Sequence, residues 1–345
     1  MQSSFETPET YTSALSTRET ETAIKEIKDS FQDDLAAELN LHRITAPLFV
    51  EAETGINDDL NGAERPVTFT VRAMADQKME VVQSLAKWKR LALADLMIRP
   101  GEGIYTDMNA IRPDEILDNL HSIYVDQWDW ERVITREERD LNFLKMMARK
   151  IYGVICRTEA HICQIFPTLT RILPPEITFV HANDLYDRFP TLSPAEREKQ
   201  IALEYGAVFI IGIGSPLGDG MPHDGRAPDY DDWTSPNGRG YGLNGDIIVF
   251  YPILDTAFEV SSMGIRVTPE SLSLQLAKTG TSDRERLYFH RRLLSGQLPL
   301  SIGGGIGQSR LCMLMLKKAH IGEIQAGAWP NDMREALRDR GINLL

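Results

Sequence analysis

The chain has 345 residues, with 50 acidic against 37 basic side chains and a formal net charge of -13 at neutral pH. A length of this order suits one large domain or two ordinary ones, and such a fold buries roughly 75% of its unfolded surface without needing a disulfide or metal staple. The acidic balance argues against a stable nucleic-acid partner. With no apolar run near ~18 residues and no basic-then-apolar N-terminus, a cytoplasmic protein with no membrane partner is expected.

Residues 1–20 are rich in Thr, Ser and Glu and predict a polar flexible leader. Beyond it, 21–345 reads as a single domain, because no linker or repeat divides it. Ile24, Ile27, Phe31, Leu35 and Leu39 recur at three- and four-residue steps and predict an amphipathic helix. The alternation over 67–71 predicts a half-buried strand, with 79–82 as its hairpin partner through a turn at Asp76 and Gln77. A helix follows from about Ser84, burying Leu85, Trp88 and Ala92; Lys89 falls near that apolar side, while Lys87 and Arg90 point away. Further strands are expected at 122–125, 177–180, 207–213, 246–251 and 257–260, and helices at 137–165, 194–205, 269–278, 283–295 and 308–318. Ser193, Pro194 and Glu196 give the 194–205 helix a capping box with proline in its first turn. Strands in close pairs favour hairpins, so the expected class is α+β, an antiparallel sheet flanked by helices. The Gly-, Pro- and Asp-rich stretch 214–245 predicts a functional loop.

Neither common nucleotide loop is present, since there is no G-x-x-x-x-G-K-[ST] and Gly212, Gly214 and Gly218 do not fit G-x-G-x-x-G. Zinc lacks a histidine pair at helical spacing, and Cys156, Cys163 and Cys312 have no ligand spacing; they read as buried small hydrophobes in a reducing compartment. Other residues suggest a different clamp. Asp246 opens a strand and Glu259 lies between apolar residues, where a carboxylate is costly to bury unless it binds a cation such as magnesium; the alternative is a solvent-facing glutamate. Four glycines within 303–307 do not fit a strand interior and suggest close approach of a flat or anionic ligand. Arg310 then opens a helix, beside free N–H groups, as a phosphate contact or as a surface arginine. Lys89 either snorkels or meets a carboxylate. Arg112 is a phosphate contact or part of a surface turn. Period two puts Val125, Gln127 and Asp129 on one face, a small polar recognition surface. Arg226, Asp229, Asp231 and Asp232 share the long loop, either receiving an ammonium group or simply solvated.

Several segments together resemble ammonia-dependent asparagine synthetase, whose catalytic domain is similar to class II aminoacyl-tRNA synthetases, the aspartyl enzyme above all. They are Asn57-Asp58-Asp59-Leu60-Asn61-Gly62, Ser84-Leu85-Ala86-Lys87-Trp88-Lys89-Arg90, Tyr124-Val125-Asp126-Gln127-Trp128-Asp129-Trp130-Glu131, Arg226-Ala227-Pro228-Asp229-Tyr230-Asp231-Asp232-Trp233, Leu243-Asn244-Gly245-Asp246, and the run from Phe258 to Arg266. The match runs from about residue 24 to 330, within a single catalytic domain of 21–345. The resemblance implies ligation of ammonia to the side-chain carboxylate of L-aspartate through β-aspartyl-AMP, with ATP consumed, Mg2+ bound and a homodimer formed. It implies that Arg112 holds the α-phosphate and substrate carboxylate, that Arg310 and Arg226 contact ATP, and that Asp246 and Glu259 hold the metal. Lys89 and Arg266 resemble the pair that selects the aspartate side-chain carboxylate. Ser84, Gln127, Asp129, Asp231 and Ser262 would line the amino-acid pocket, and Asp58 would accept a proton from ammonium or the attacking amine. Asp59 stands where the family pattern has asparagine, and Glu53-Thr54-Gly55-Ile56 departs from its Gly-Asp-Gly-Thr stretch. Rival readings are an aspartate-activating aminoacyl-tRNA synthetase-like enzyme, a glutamine-dependent synthetase (disfavoured because residue 2 is Gln, not a nucleophilic cysteine) and a noncatalytic paralogue.

Overall fold

The computed structural model describes residues 5–58 and 64–345. In chain order its elements are α1 (Thr17–Leu39), β1 (Leu41–Arg43), β2 (Phe49–Glu51), β3 (Thr68–Val71), β4 (Gln77–Val81), α2 (Ala86–Asp95), β5 (Gly103–Ile111), β6 (Tyr124–Val133), α3 (Leu141–Ile165), β7 (Thr178–His181), α4 (Ala182–Arg188), α5 (Pro194–Tyr205), β8 (Ala207–Ile211), β9 (Asn244–Tyr251), β10 (Thr256–Ile265), α6 (Pro269–Thr279), α7 (Tyr288–Leu294), β11 (Ser301–Gly307), α8 (Gln308–Leu316) and α9 (Asn331–Asp339). An eight-stranded sheet runs β1-β5-β6-β11-β10-β9-β8-β7, parallel only in its two outermost pairs, and a small sheet runs β2-β4-β3. The expected α+β class and antiparallel core are therefore present.

One face of the large sheet is dry. The apolar stripe of α1 (Ala23, Ile27, Phe31, Leu35, Leu39) packs with α3, α8 and Trp128 and Trp130 of β6 in one continuous core. Phe31 and Trp128 meet with ring centroids 4.6 Å apart. Period two then sends Gln127, Asp129 and Glu131 of the same strand to the opposite face, where the polar cleft forms. α2 covers part of that second face, with Ala92 and Leu93 against Ile104 and Val133.

Four sequence expectations need correction. The 1–20 leader is not loose over its described part: α1 starts at Thr17 with a Ser16–Glu19 capping box, Leu15 is buried, and the Tyr11 hydroxyl donates to both Glu323 oxygens at 2.9 and 2.7 Å. Leu15 belongs to the main core, and Phe5 and Tyr11 pack against it, which ties the terminus down. Lys87 and Arg90 do not point to solvent, because α2 lies between the sheet and the α6–α7 region and is covered on nearly every side. Arg90 there donates to the carbonyls of Val267 (2.7 Å) and Pro299 (3.0 Å). Residues 103–111, where the sequence pattern predicts no strand, form β5, whose pairing with β6 extends over its whole length. The glycines at 303–307 do form a strand, in the middle of the sheet between β6 and β10. The Asp59 to Gly62 part of the motif beginning at Asn57 lies outside the described residues.

No helix among the described residues is long and apolar enough to cross a membrane.

Candidate active site

The cleft over β6, β11 and β10 encloses a cavity of about 520 Å³. β11 is its floor, and the glycines are explained by what leans across them. A Cβ at Gly303 would fall inside contact distance of Glu131 Oε2 and 2.6 Å from Arg266 Nη2; at Gly305 it would lie 2.5 Å from Gln127 Oε1. Side chains of the same molecule, more than a bare ligand, demand the missing Cβ atoms. A Gly303→Ala chain is expected to lose activity outright and about 1–3 kcal/mol of stability through overpacking, read by denaturant melting beside kcat/KM for the amino-acid substrate.

A β-bulge decides what β10 contributes. Glu259 pairs with Ile248, but Ser261 pairs with Ile247 and Ser262 with Asp246, so Val260 is extra. Without it Glu259 and Ser262, three residues apart, would face opposite sides; with it both face the cavity.

Beneath lies a buried ionic network. Lys89 Nζ contacts Asp129 and donates to the carbonyls of Trp130 and Gly304, each at 3.0 Å. Arg266 grips Glu131 through Nε (3.0 and 3.1 Å) and Nη2 (2.8 Å) and gives Nη1 to Asp231. Glu131 also accepts from Ser301 Oγ at 2.7 Å. Burial raises the Glu131 carboxyl, but Arg266, helped by Lys89 and the Ser301 hydroxyl, holds the group below its ordinary value. Burial likewise pulls Lys89 below the usual lysine value, against the opposing pull of Asp129 and Glu131. For Glu131 the sign is that of a depressed acid: its stabilisation is complete above the ordinary carboxylate range and is lost as pH falls through the folded value. Glu131→Gln is thus expected to flatten the fall in unfolding free energy between pH 7 and pH 3, measured by urea titration.

Arg226, expected at ATP, lies between two carboxylates, 3.3 Å from Asp231 and 2.5 Å from Asp246, and so ties the long loop to β9. Asp246 stands behind the cavity wall; its carboxyl is lifted to about 7 by burial against the lowering pull of Arg226, with the Glu259 charge adding to the lift. A cation between the two acids would relieve that strain. Of the two readings of Glu259, the buried carboxylate is not found: its side chain is 45% exposed and lines the cavity, with Arg310 at 3.8 Å. Among the described residues no cluster of three or more His, Cys, Asp and Glu side chains is placed to hold a metal. Two carboxylates nonetheless fit magnesium that shares phosphate oxygens of a nucleotide.

Arg112 follows β5 and lines the cavity with its Nε buried and without a protein partner among the described residues; Glu115 is 3.7 Å away. Arg310 also lines the cavity and donates to the Glu259 carbonyl at 3.2 Å. The N–H groups expected to be free beside it are not all so: Asp126 accepts from Ser309 N at 2.9 Å. Asp58, Ser84, Gln127, Asp129, Asp231, Ser262 and Arg266 line the same cavity. Every expected site residue is thereby brought to one place, with Asp246 one contact behind. Residues not singled out also line it, among them Ser122, Tyr230, Ser309 and Gln325. Glu131 was missed as well, although one more step of the Gln127–Asp129 alternation finds it.

A family model described as aspartate-ammonia ligase matches residues 18–341. The chain is 57% identical over 339 residues to an aspartate–ammonia ligase of Parabacteroides distasonis, covering 98% of each chain. The chain belongs to the aspartate–ammonia ligase family. A ligase of that name from Clostridium perfringens is 55% identical over 338 residues, again covering 98% of each. In fold, the family member described here is similar to asparaginyl-tRNA synthetases solved with asparaginyl-adenylate. The Pyrococcus horikoshii enzyme gives a TM-score of 0.67 at 15% identity, covering 90% of this chain and 70% of that one. The Entamoeba histolytica enzyme gives 0.65 at 14%, covering 90% and 66%. The class II synthetase core expected of an aspartate–ammonia ligase is thus the core observed.

Proposed function

We propose that this cavity ligates ammonia to the side-chain carboxylate of L-aspartate, through β-aspartyl-AMP, giving L-asparagine, AMP and pyrophosphate. The observation that carries the reading is a gradient of depth. Lys89 and Arg266 are fully buried among Asp129, Glu131 and Asp231, whereas the side chains of Arg112, Arg310 and Glu259 are 24%, 21% and 45% exposed. A small zwitterion suits the deep charged end, and a triphosphate suits the open one.

In the first step a side-chain carboxylate oxygen of aspartate bonds to the α-phosphorus of ATP while the bond to pyrophosphate breaks. Arg112 and Arg310 meet the charge that spreads over the phosphoryl oxygens. The carboxylate that reacts must reach Arg112, so Lys89 and Arg266 receive the other one. In this ligase that is the α-carboxylate, the reverse of the seating implied by likeness to the aspartyl enzyme. Asp129 and Asp231 accept from the α-ammonium group, with Ser84, Gln127 and Ser262 completing the amino-acid seat. Arg226 positions Asp246 and Asp231 rather than gripping phosphate itself. Asp246 and Glu259 would hold magnesium, which when bound supplies charge neutralisation at the phosphates. In the second step the ammonia nitrogen bonds to the acyl carbon, the bond to AMP oxygen breaks, and Asp58 accepts the proton the amine sheds.

The same reading includes a homodimer in the cytoplasm, in keeping with three unpaired cysteines; sedimentation tests the dimer. The activity is tested by incubating the chain with aspartate, ATP, magnesium and ammonium. Equal amounts of asparagine, AMP and pyrophosphate are expected. Efficient formation of aspartyl-tRNA without asparagine overturns the reading.

A further inference from the structure

The segment that carries Asp58 is fixed from behind by groups that do not line the cavity. Asn57 uses all four hydrogen-bonding positions of its amide. Nδ2 donates to Glu80 Oε2 and to the Val81 carbonyl, each at 3.2 Å, and Oδ1 accepts from Gln83 N at 2.9 Å and Asp58 N at 3.0 Å. The amide therefore ties Asp58 to the end of β4 and to Gln83, one residue before Ser84.

The other side of the segment rests on α7. Phe289 N donates to the Thr54 carbonyl at 3.3 Å. Gly55 has φ +74°, and a Cβ there would lie 2.9 Å from both His290 Nδ1 and Leu287 Cβ. His290 is itself locked, its Nε2 3.1 Å from Asp229 Oδ2, an oxygen that Lys87 also meets at 3.2 Å. The segment is thus clamped between β4 and a fixed ring, and only at its end does it present Asp58 to the cavity.

We infer that Asn57 is a positioning residue for the ammonia step, acting through Asp58. This rests on the reading of Asp58 as the proton acceptor of that step. Activation of aspartate moves no proton: an oxygen–phosphorus bond forms as pyrophosphate leaves. Attack by ammonia forms the carbon–nitrogen bond, expels AMP with the electron pair of the broken carbon–oxygen bond, and must deliver a proton to a base. A displaced Asp58 carboxylate harms the second event and spares the first.

The test separates the half-reactions in the full-length enzyme. Asn57→Ala and Gly55→Ala are each assayed for aspartate-dependent exchange of pyrophosphate into ATP and for asparagine formation across ammonium concentrations. Exchange should stay within about 3-fold of the unaltered enzyme while kcat/KM for ammonium falls ~100-fold, the scale of an ångström-sized misplacement. Hydroxylamine, which is largely neutral at neutral pH, should narrow the deficit. Asn57→Asp combined with Glu80→Gln reverses donor and acceptor across one of the bonds and should recover activity lost by Asn57→Asp alone. Equal loss of both half-reactions, or loss of neither, in the variants that fold overturns the inference. Absence of exchange in the unaltered enzyme would instead overturn the functional reading beneath it.

Discussion

Replacing Arg266 by methionine will abolish asparagine formation and lower unfolding free energy by about 3–5 kcal/mol, the usual consequence of leaving a buried carboxylate without its partner. The orphaned group is Glu131, which is fully buried and held through three contacts to Arg266. Lysine should not rescue: an ammonium offers no fork to Glu131 and cannot reach Asp231 at the same time. Combining Arg266→Met with Glu131→Gln removes the uncompensated charge and should restore most of the stability while activity stays absent. Equilibrium urea unfolding beside a product assay reads both effects. Recovery of activity in the double variant would remove Arg266 from substrate binding.

Glu259→Gln should give the opposite pattern, with stability unchanged within about 0.5 kcal/mol and activity lower by ~100-fold or more. The side chain is 45% exposed and its nearest charged partner, Arg310, is 3.8 Å away, so little folding energy depends on it. What it offers is charge aimed into the cavity beside Asp246. The variant should also need more magnesium for half-maximal rate. Full activity at the same magnesium concentration would take Glu259 out of the metal site.

Much of this site was legible because its residues obey simple periods. Gln127 and Asp129 alternate with two tryptophans, and the structure puts the tryptophans in the core and the polar pair in the cavity. What escaped was every feature that breaks a period or depends on distant neighbours. The extra residue at Val260 shifts β10 by one step, which a strand read as regular alternation does not reveal. The glycine run looked unfit for a strand, since its entropic cost is local and visible. The gain, room for Glu131 and Gln127, comes from β6 and is not visible in the run itself. Helical geometry alone turns Lys87 to water, yet Asp229, 142 positions away, meets it at 3.2 Å. Tyr11 looked like part of a polar leader until its hydroxyl found Glu323, 312 positions on. Local pattern identified the chemistry-bearing side chains, while long-range packing determined how each was held.

The step on which asparagine formation depends is the bonding of an aspartate carboxylate to the α-phosphorus of ATP, which makes it an acyl donor. It is tested most directly with aspartate carrying 18O in its side-chain carboxylate, incubated with the enzyme, ATP, magnesium and ammonium. One labelled oxygen is expected in the phosphate of each AMP formed, with the other retained in the asparagine amide. Label in inorganic phosphate with ADP as co-product, or AMP free of label, would contradict it.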